Sequence, residues 1–95
     1  MEVRVKFMGI PDAVKAVGSK EVTAEIDEPT LGALLRQLQT TYGAPLQKAI
    51  FTQRGAVDHT IQLLRNGADF VERDALDLQL EDGDQLTFLM MMAGG

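Results

Sequence analysis

The chain ends on Gly94-Gly95, directly after the apolar run Phe88 to Ala93. Two residues without side chains leave a terminal carbonyl open to attack and let the backbone take dihedrals closed to other residues. The chemistry such an end can do is carboxylate chemistry. The α-carboxyl of Gly95, with an ordinary pKa of about 3.5, is ionised at neutral pH and can act as a nucleophile. A thin tail can also extend away from the body and enter a narrow slot in another protein. On this reading Gly95 carries the reaction, Gly94 keeps the approach open, and the chain is substrate and handle, not catalyst.

Other chemistries find little support. The chain has no cysteine, which excludes disulfides, thiolate metal sites and a nucleophilic thiol of its own, and fits a reducing, cytoplasmic setting. His59 is the single histidine and has no Ser or Cys constellation near it, so a surface loop position is expected. Asp74, Asp77, Glu81, Asp82 and Asp84 lack the spacing of a calcium loop, and Asp82-Gly83-Asp84 is an ordinary turn. Gly9, Gly18 and Gly32 have neither the spacing nor the placement of a phosphate loop. No metal or bound cofactor is expected. A net charge of −5 without a basic block argues against nucleic acid. The longest apolar run is too short to span a bilayer, and Glu2, Arg4 and Lys6 interrupt the N-terminal apolar residues as no signal peptide would.

The elements that must position the tail follow from hydrophobic period. Ninety-five residues suit one domain, expected over 1–95 with a flexible tail at 92–95. Val3, Val5 and Phe7 alternate with Glu2, Arg4, Lys6 and Met8, which predicts a half-buried strand. A helical turn over 12–18, ending at Gly18, leads to a second alternating strand through Val22, Ala24 and Ile26. Thr30 is a candidate N-cap for a helix whose Leu31, Leu34, Leu35, Leu38 and Tyr42 share one face, with Gly43 and Pro45 as its stop. A short helix over 46–51 and a loop from Thr52 to His59 follow. A third strand through Ile61 and Leu63 ends at the Asn66-Gly67 turn, Phe70-Val71 form a brief fourth, and Leu76, Leu78 and Leu80 a packed irregular return. The last strand places Leu86, Phe88 and Met90 on one face. This order predicts an α+β domain with a mixed sheet, of the β-grasp (ubiquitin-like) arrangement, the last strand running parallel to the first in the middle of the sheet.

If these alternating residues form the core, Arg4, Lys6, Met8, Leu64, Leu89 and Met91 face outward. Met8, Leu64, Leu89 and Met91 would make that face oddly apolar for a monomer. Together with Met92 and Ala93 they are the candidate partner-binding residues, methionine suiting a surface that must fit several partners. Cover by a second core, a helix or a second copy is the competing explanation.

The sequence resembles the MoaD/ThiS group of ubiquitin-like sulfur carriers along nearly its whole length. The resemblance rests on Thr30-Leu31-Gly32-Ala33-Leu34-Leu35, Tyr42-Gly43, Asn66-Gly67-Ala68-Asp69, Leu80-Glu81-Asp82-Gly83-Asp84 and Ala93-Gly94-Gly95, in that order and spacing. Two departures stand out: Met90-Met91-Met92 replaces the proline often found before the end, and residues 44–60 are long, as in the archaeal and actinobacterial members. The resemblance implies that an adenylating enzyme of the MoeB/ThiF type uses ATP to activate the Gly95 carboxylate. A sulfur donor, such as a cysteine desulfurase system, then converts it to a thiocarboxylate, and a synthase large subunit or another sulfur-accepting enzyme receives the sulfur. Contact with the activating enzyme and the synthase through the sheet face is implied as well. Molybdopterin synthesis is the first expectation, with cysteine synthesis, thiamine synthesis and tRNA thiolation behind it. A ubiquitin-like modifier forming isopeptide bonds, or a β-grasp binding module with an accidental Gly-Gly, are the alternatives.

Overall fold

The computed structural model describes residues 1–90; Met91, Met92, Ala93, Gly94 and Gly95, expected to form the tail and part of the partner-binding surface, lie outside the described residues. Along the chain run β1 (Glu2–Met8), α1 (Pro11–Val17), β2 (Glu21–Glu25), α2 (Leu31–Ile50), β3 (Ile61–Arg65), β4 (Asp69–Val71) and β5 (Gln85–Met90). The five strands form one sheet in the order β2-β1-β5-β3-β4. β1 pairs antiparallel with β2 and parallel with β5, and β3 pairs antiparallel with β5 and β4. The β-grasp expectation, with the last strand central and parallel to the first, is met.

The period-2 pattern decides which side of each strand is buried. Val3, Val5 and Phe7 of β1, Ile61 and Leu63 of β3, and Leu86 and Phe88 of β5 lie in the core with Leu31, Leu34, Leu35 and Leu38 of α2. The Phe7 and Phe88 rings, neighbours in the parallel register, sit 5.5 Å apart at a tilted 33°. Thr30 caps α2 as its hydroxyl accepts from the Ala33 N–H at 3.2 Å. Gly43 leaves helical geometry at φ 64 and ψ −148, a region that only glycine enters without strain. Helical geometry resumes at once, because Pro45 is tolerated in the first turn of the new segment, where its missing N–H has no intrahelical acceptor. α2 is therefore two segments across a kink where a stop and a short gap were expected, and Leu46 and Ile50 of the second segment complete the core.

One sequence expectation fails in the return from β4 to β5. Leu80 is buried and Leu78 packs against the core, but Leu76 is 53% exposed. The cause is backbone. The Gly32 N–H donates to the Leu76 carbonyl at 2.8 Å, and a Cβ built on Gly32 would come within 3.1 Å of that oxygen. This close approach pins the Leu76 backbone against α2, and its side chain remains largely in solvent.

The turn before β5 is fixed by Asp84. Its carboxylate accepts from Arg65 Nε and Nη2 at 3.0 and 2.7 Å, from Asn66 Nδ2 at 3.1 Å and from the Glu81 N–H at 2.8 Å. Burial by itself would push this carboxyl up, but the Glu81 N–H, the Asn66 amide and the Arg65 guanidinium together hold it below its ordinary value. The network joins the β3–β4 turn to the start of β5. Asp84→Asn is expected to cost about 3 kcal/mol, the scale for removing one partner of a buried pair. Because the folded-state value is depressed, the contribution is present above the unfolded carboxyl pKa of about 4 and fades as pH falls through the lower folded value. Urea unfolding of both proteins at neutral pH and near pH 2 checks this; a gap that does not shrink in acid would refute the ionised network.

Candidate functional site

The face of the sheet turned away from the core carries the residues that side-chain alternation puts outward. Register groups them into rows. Met8 stands opposite Leu89, which has Gln62 on its other side. One row further in, Lys6, Thr87, Leu64 and Phe70 lie across β1, β5, β3 and β4. Below them Arg4 stands opposite Gln85. Met8 is 44% exposed, and Leu64 and Leu89 are half-buried.

The structure therefore brings Met8, Leu64 and Leu89 together on one surface. It adds Phe70, which the sequence reading put in a strand but not in the site; at 73% it is the most exposed large apolar side chain among the described residues. A signal for it was present. The Asn66-Gly67 turn sets Arg65 against Asp69 and so Leu64 against Phe70. Thr87 was also missed. It lies at the centre of this face, yet only 3% of it is exposed, with Lys6 and Leu64 as its cross-strand neighbours.

Charge divides the face. At the polar end, Gln85 Nε2 donates to Glu21 Oε1 at 2.8 Å, and Arg4 Nη1 lies 3.9 Å from the same oxygen. The apolar end is that of Met8, Leu64, Phe70 and Leu89, with Lys6 at its border. This is also the end at which β5 finishes: Met90 pairs with Ile61, and a Cβ built on Gly9, just after β1, would lie 3.7 Å from the Met90 carbonyl oxygen. Met91, Met92, Ala93, Gly94 and Gly95, the rest of the sequence-derived site, lie outside the described residues.

His59 is exposed, with Nδ1 3.6 Å from the Asp58 carboxylate. Asp58 is held below its ordinary value first by the Thr60 backbone N–H at 2.9 Å and then by the Thr60 hydroxyl at 2.7 Å. Among the described residues no group of three or more His, Cys, Asp or Glu side chains could hold a metal ion, and no helix is long and apolar enough to cross a membrane.

A family model described as "ThiS family" matches residues 5–95. The small archaeal modifier protein 3 of Haloferax volcanii is 30% identical over 96 residues, which cover all of both chains. The crystal structure of SAMP1 from Haloferax volcanii superposes with a TM-score of 0.79 at 25% identity, again over the whole of both chains. CysO of Mycobacterium tuberculosis, at 22% identity over 95% of this chain and 99% of its own, has a TM-score of 0.72 and bears on the fold alone.

Proposed function

The chain belongs to the ThiS family of ubiquitin-like carriers and modifiers, and from that premise we propose that it is a sulfur carrier whose reactive group is the α-carboxylate of Gly95. The observation that carries the reading is the position of β5. This strand is held on both sides, by β1 and β3, and brings the chain to the edge of the apolar face five residues before Gly95. A tail rooted in the centre of the sheet is presented from a fixed point, and the adjoining face offers a partner apolar area beside that point.

The chemistry follows from the carboxylate. In the slot of an adenylating enzyme, a Gly95 oxygen attacks the α-phosphorus of ATP and the bond to pyrophosphate breaks. Hydrosulfide-level sulfur from the donor then attacks the acyl carbon of the adenylate; the C–S bond forms, the bond to the AMP oxygen breaks, AMP leaves, and a thiocarboxylate remains. ATP is bound by the enzyme, and the carrier needs no cofactor of its own. Glycine at 94 and 95 lets a narrow slot close around the backbone. The face around Met8, Leu64, Phe70 and Leu89 supplies affinity, first for the adenylating enzyme and then for the protein that takes the sulfur. Following the resemblance to MoaD, the acceptor assigned first is the molybdopterin precursor on a synthase large subunit.

A second reading has its own support. The Haloferax volcanii relative that spans the whole chain carries the name of modifier, and the same acyl-adenylate could be captured by lysine amines to form isopeptide bonds. Intact mass after incubation with ATP, the adenylating enzyme and a sulfur donor separates the two. Replacement of one oxygen by sulfur is the expected outcome. Protease-sensitive high-mass adducts would favour the modifier, and an unchanged mass would remove both.

A further inference from the structure

Thr87 stands midway along β5 on the face turned away from the core, and only 3% of it is exposed. Its row runs Glu21, Lys6, Thr87, Leu64 and Phe70 across the whole sheet. A polar side chain sunk this far is normally hydrogen-bonded. The hydroxyls of Thr30, Thr41, Thr52 and Thr60 are each engaged, but that of Thr87 has no partner among the described residues. No side-chain oxygen or nitrogen shut off from solvent lacks a partner there, so the Thr87 oxygen still reaches water through a narrow opening in the face.

The charge beside it is also unmatched. Lys6 is the register neighbour of Thr87, on an adjacent strand about 4.8 Å away. It is half-buried and in no ion pair among the described residues. Glu21, its neighbour on β2, is occupied: Oε1 accepts from Gln85 Nε2 at 2.8 Å and lies 3.9 Å from Arg4 Nη1. Glu2 and Glu25 face each other two rows below, with the Met1 ammonium 4.0 Å from Glu25. Glu72, just past β4, lines a hollow on the helix side with Leu35 and Arg73. In the rows of Lys6 and Met8 the one uncompensated charge is therefore positive, although the chain carries a net −5.

We propose that Lys6 and Thr87 form a selective contact at the middle of this face, taking one carboxylate side chain that projects from an apolar surface of the adenylating enzyme. The proposal deepens the carrier reading and rests on it for the identity of the partner. A carboxylate only accepts, whereas the ammonium and the hydroxyl both donate, so one group satisfies the pair. A partner that covered the face with apolar groups alone would displace water from the hydroxyl and leave it unpaired. That loss costs roughly five- to a hundredfold in affinity. Met8, Leu64, Phe70 and Leu89 thus supply attraction for any apolar surface, and Lys6 with Thr87 decides which one is accepted.

The test measures the Kd of the whole chain for the adenylating enzyme by calorimetry without ATP, and adenylation separately by pyrophosphate release. Thr87→Val keeps the size and β-branching of the side chain and removes only the hydroxyl; thermal unfolding verifies the fold. It is expected to raise Kd about tenfold, whereas Thr87→Ser, which keeps the hydroxyl, stays within about twofold of the parent. Lys6→Gln is expected to raise Kd about tenfold at low salt and to flatten its salt dependence. Thr87→Val binding as tightly as the parent, Thr87→Ser binding as weakly as Thr87→Val, or Lys6→Gln keeping both the Kd and the salt dependence of the parent would overturn the proposal. So would self-association of the parent that Thr87→Val abolishes, which would assign the contact to a second copy. Failure of the carrier reading has another signature: the parent binds the enzyme but releases no pyrophosphate, and the comparison of Kd values still decides the contact. A parent that does not bind at all overturns both.

Discussion

Removal of Gly95 is expected to abolish formation of the thiocarboxylate while leaving the thermal unfolding curve unchanged. The two halves have different causes. Among the described residues the core and the Asp84 network lie within residues 3–88, and removal of the terminal residue leaves all of these contacts in place. The nucleophile, by contrast, sits on the last atoms of the chain. Deletion moves the carboxylate back by about 3.5 Å along an extended backbone. Misplacement of a reacting group by about 1 Å can already cost about a hundredfold in rate, so the deleted chain should fall below detection in a single-turnover mass measurement. Extension beyond Gly95 should be equally damaging, because it turns the nucleophile into an amide carbonyl. A deletion variant that still exchanged oxygen for sulfur at the parent rate would place the reaction elsewhere.

How much of this molecule could be foreseen depends on whether a feature is local. Alternation in β1, β2 and β5, the Thr30 cap, the Asn66-Gly67 turn and the apolar stripe of α2 are set by neighbours in sequence, and each is visible in the residues themselves. From these the order of strands follows, since a hairpin, a crossing helix and a central last strand leave few alternatives. The kink at Gly43 was visible as a glycine and a proline, but whether helix resumes after one residue or several depends on Leu46 and Ile50 reaching the core. The exposure of Leu76 was not legible, because it depends on a close approach to Gly32, 44 positions away in the chain. Asp84 looked like a turn residue in an acidic cluster; its pairing with Arg65 required the register of β3 and β5. In the candidate site, Met8, Leu64 and Leu89 were placed by alternation alone. Phe70 needed one further step, the transfer of register through the hairpin turn.

The sharpest test of the open face compares two neighbours on β5. Phe88 is fully buried and packs its ring on Phe7, whereas Leu89 lies half-buried on the other side of the sheet, opposite Met8. Phe88→Glu removes a large core side chain and puts a carboxylate in its place. Loss of the aromatic alone costs about 3–5 kcal/mol, and the unpaired buried charge adds several more. That sum is comparable to the whole stability of a small domain, about 5–15 kcal/mol, so this variant should be unfolded or nearly so. Leu89→Glu keeps its carboxylate at the surface, where substitutions are usually small in effect, and should fold. Its cost should appear in binding: an apolar anchor at the centre of an interface is worth at least about 2 kcal/mol, or roughly thirtyfold in the Kd for the adenylating enzyme. Circular dichroism and titration calorimetry on the two proteins read both quantities. Equal loss of folding would mean that Leu89 is a core residue. A folded Leu89→Glu that binds as tightly as the parent would mean that the partner approaches from elsewhere on the molecule.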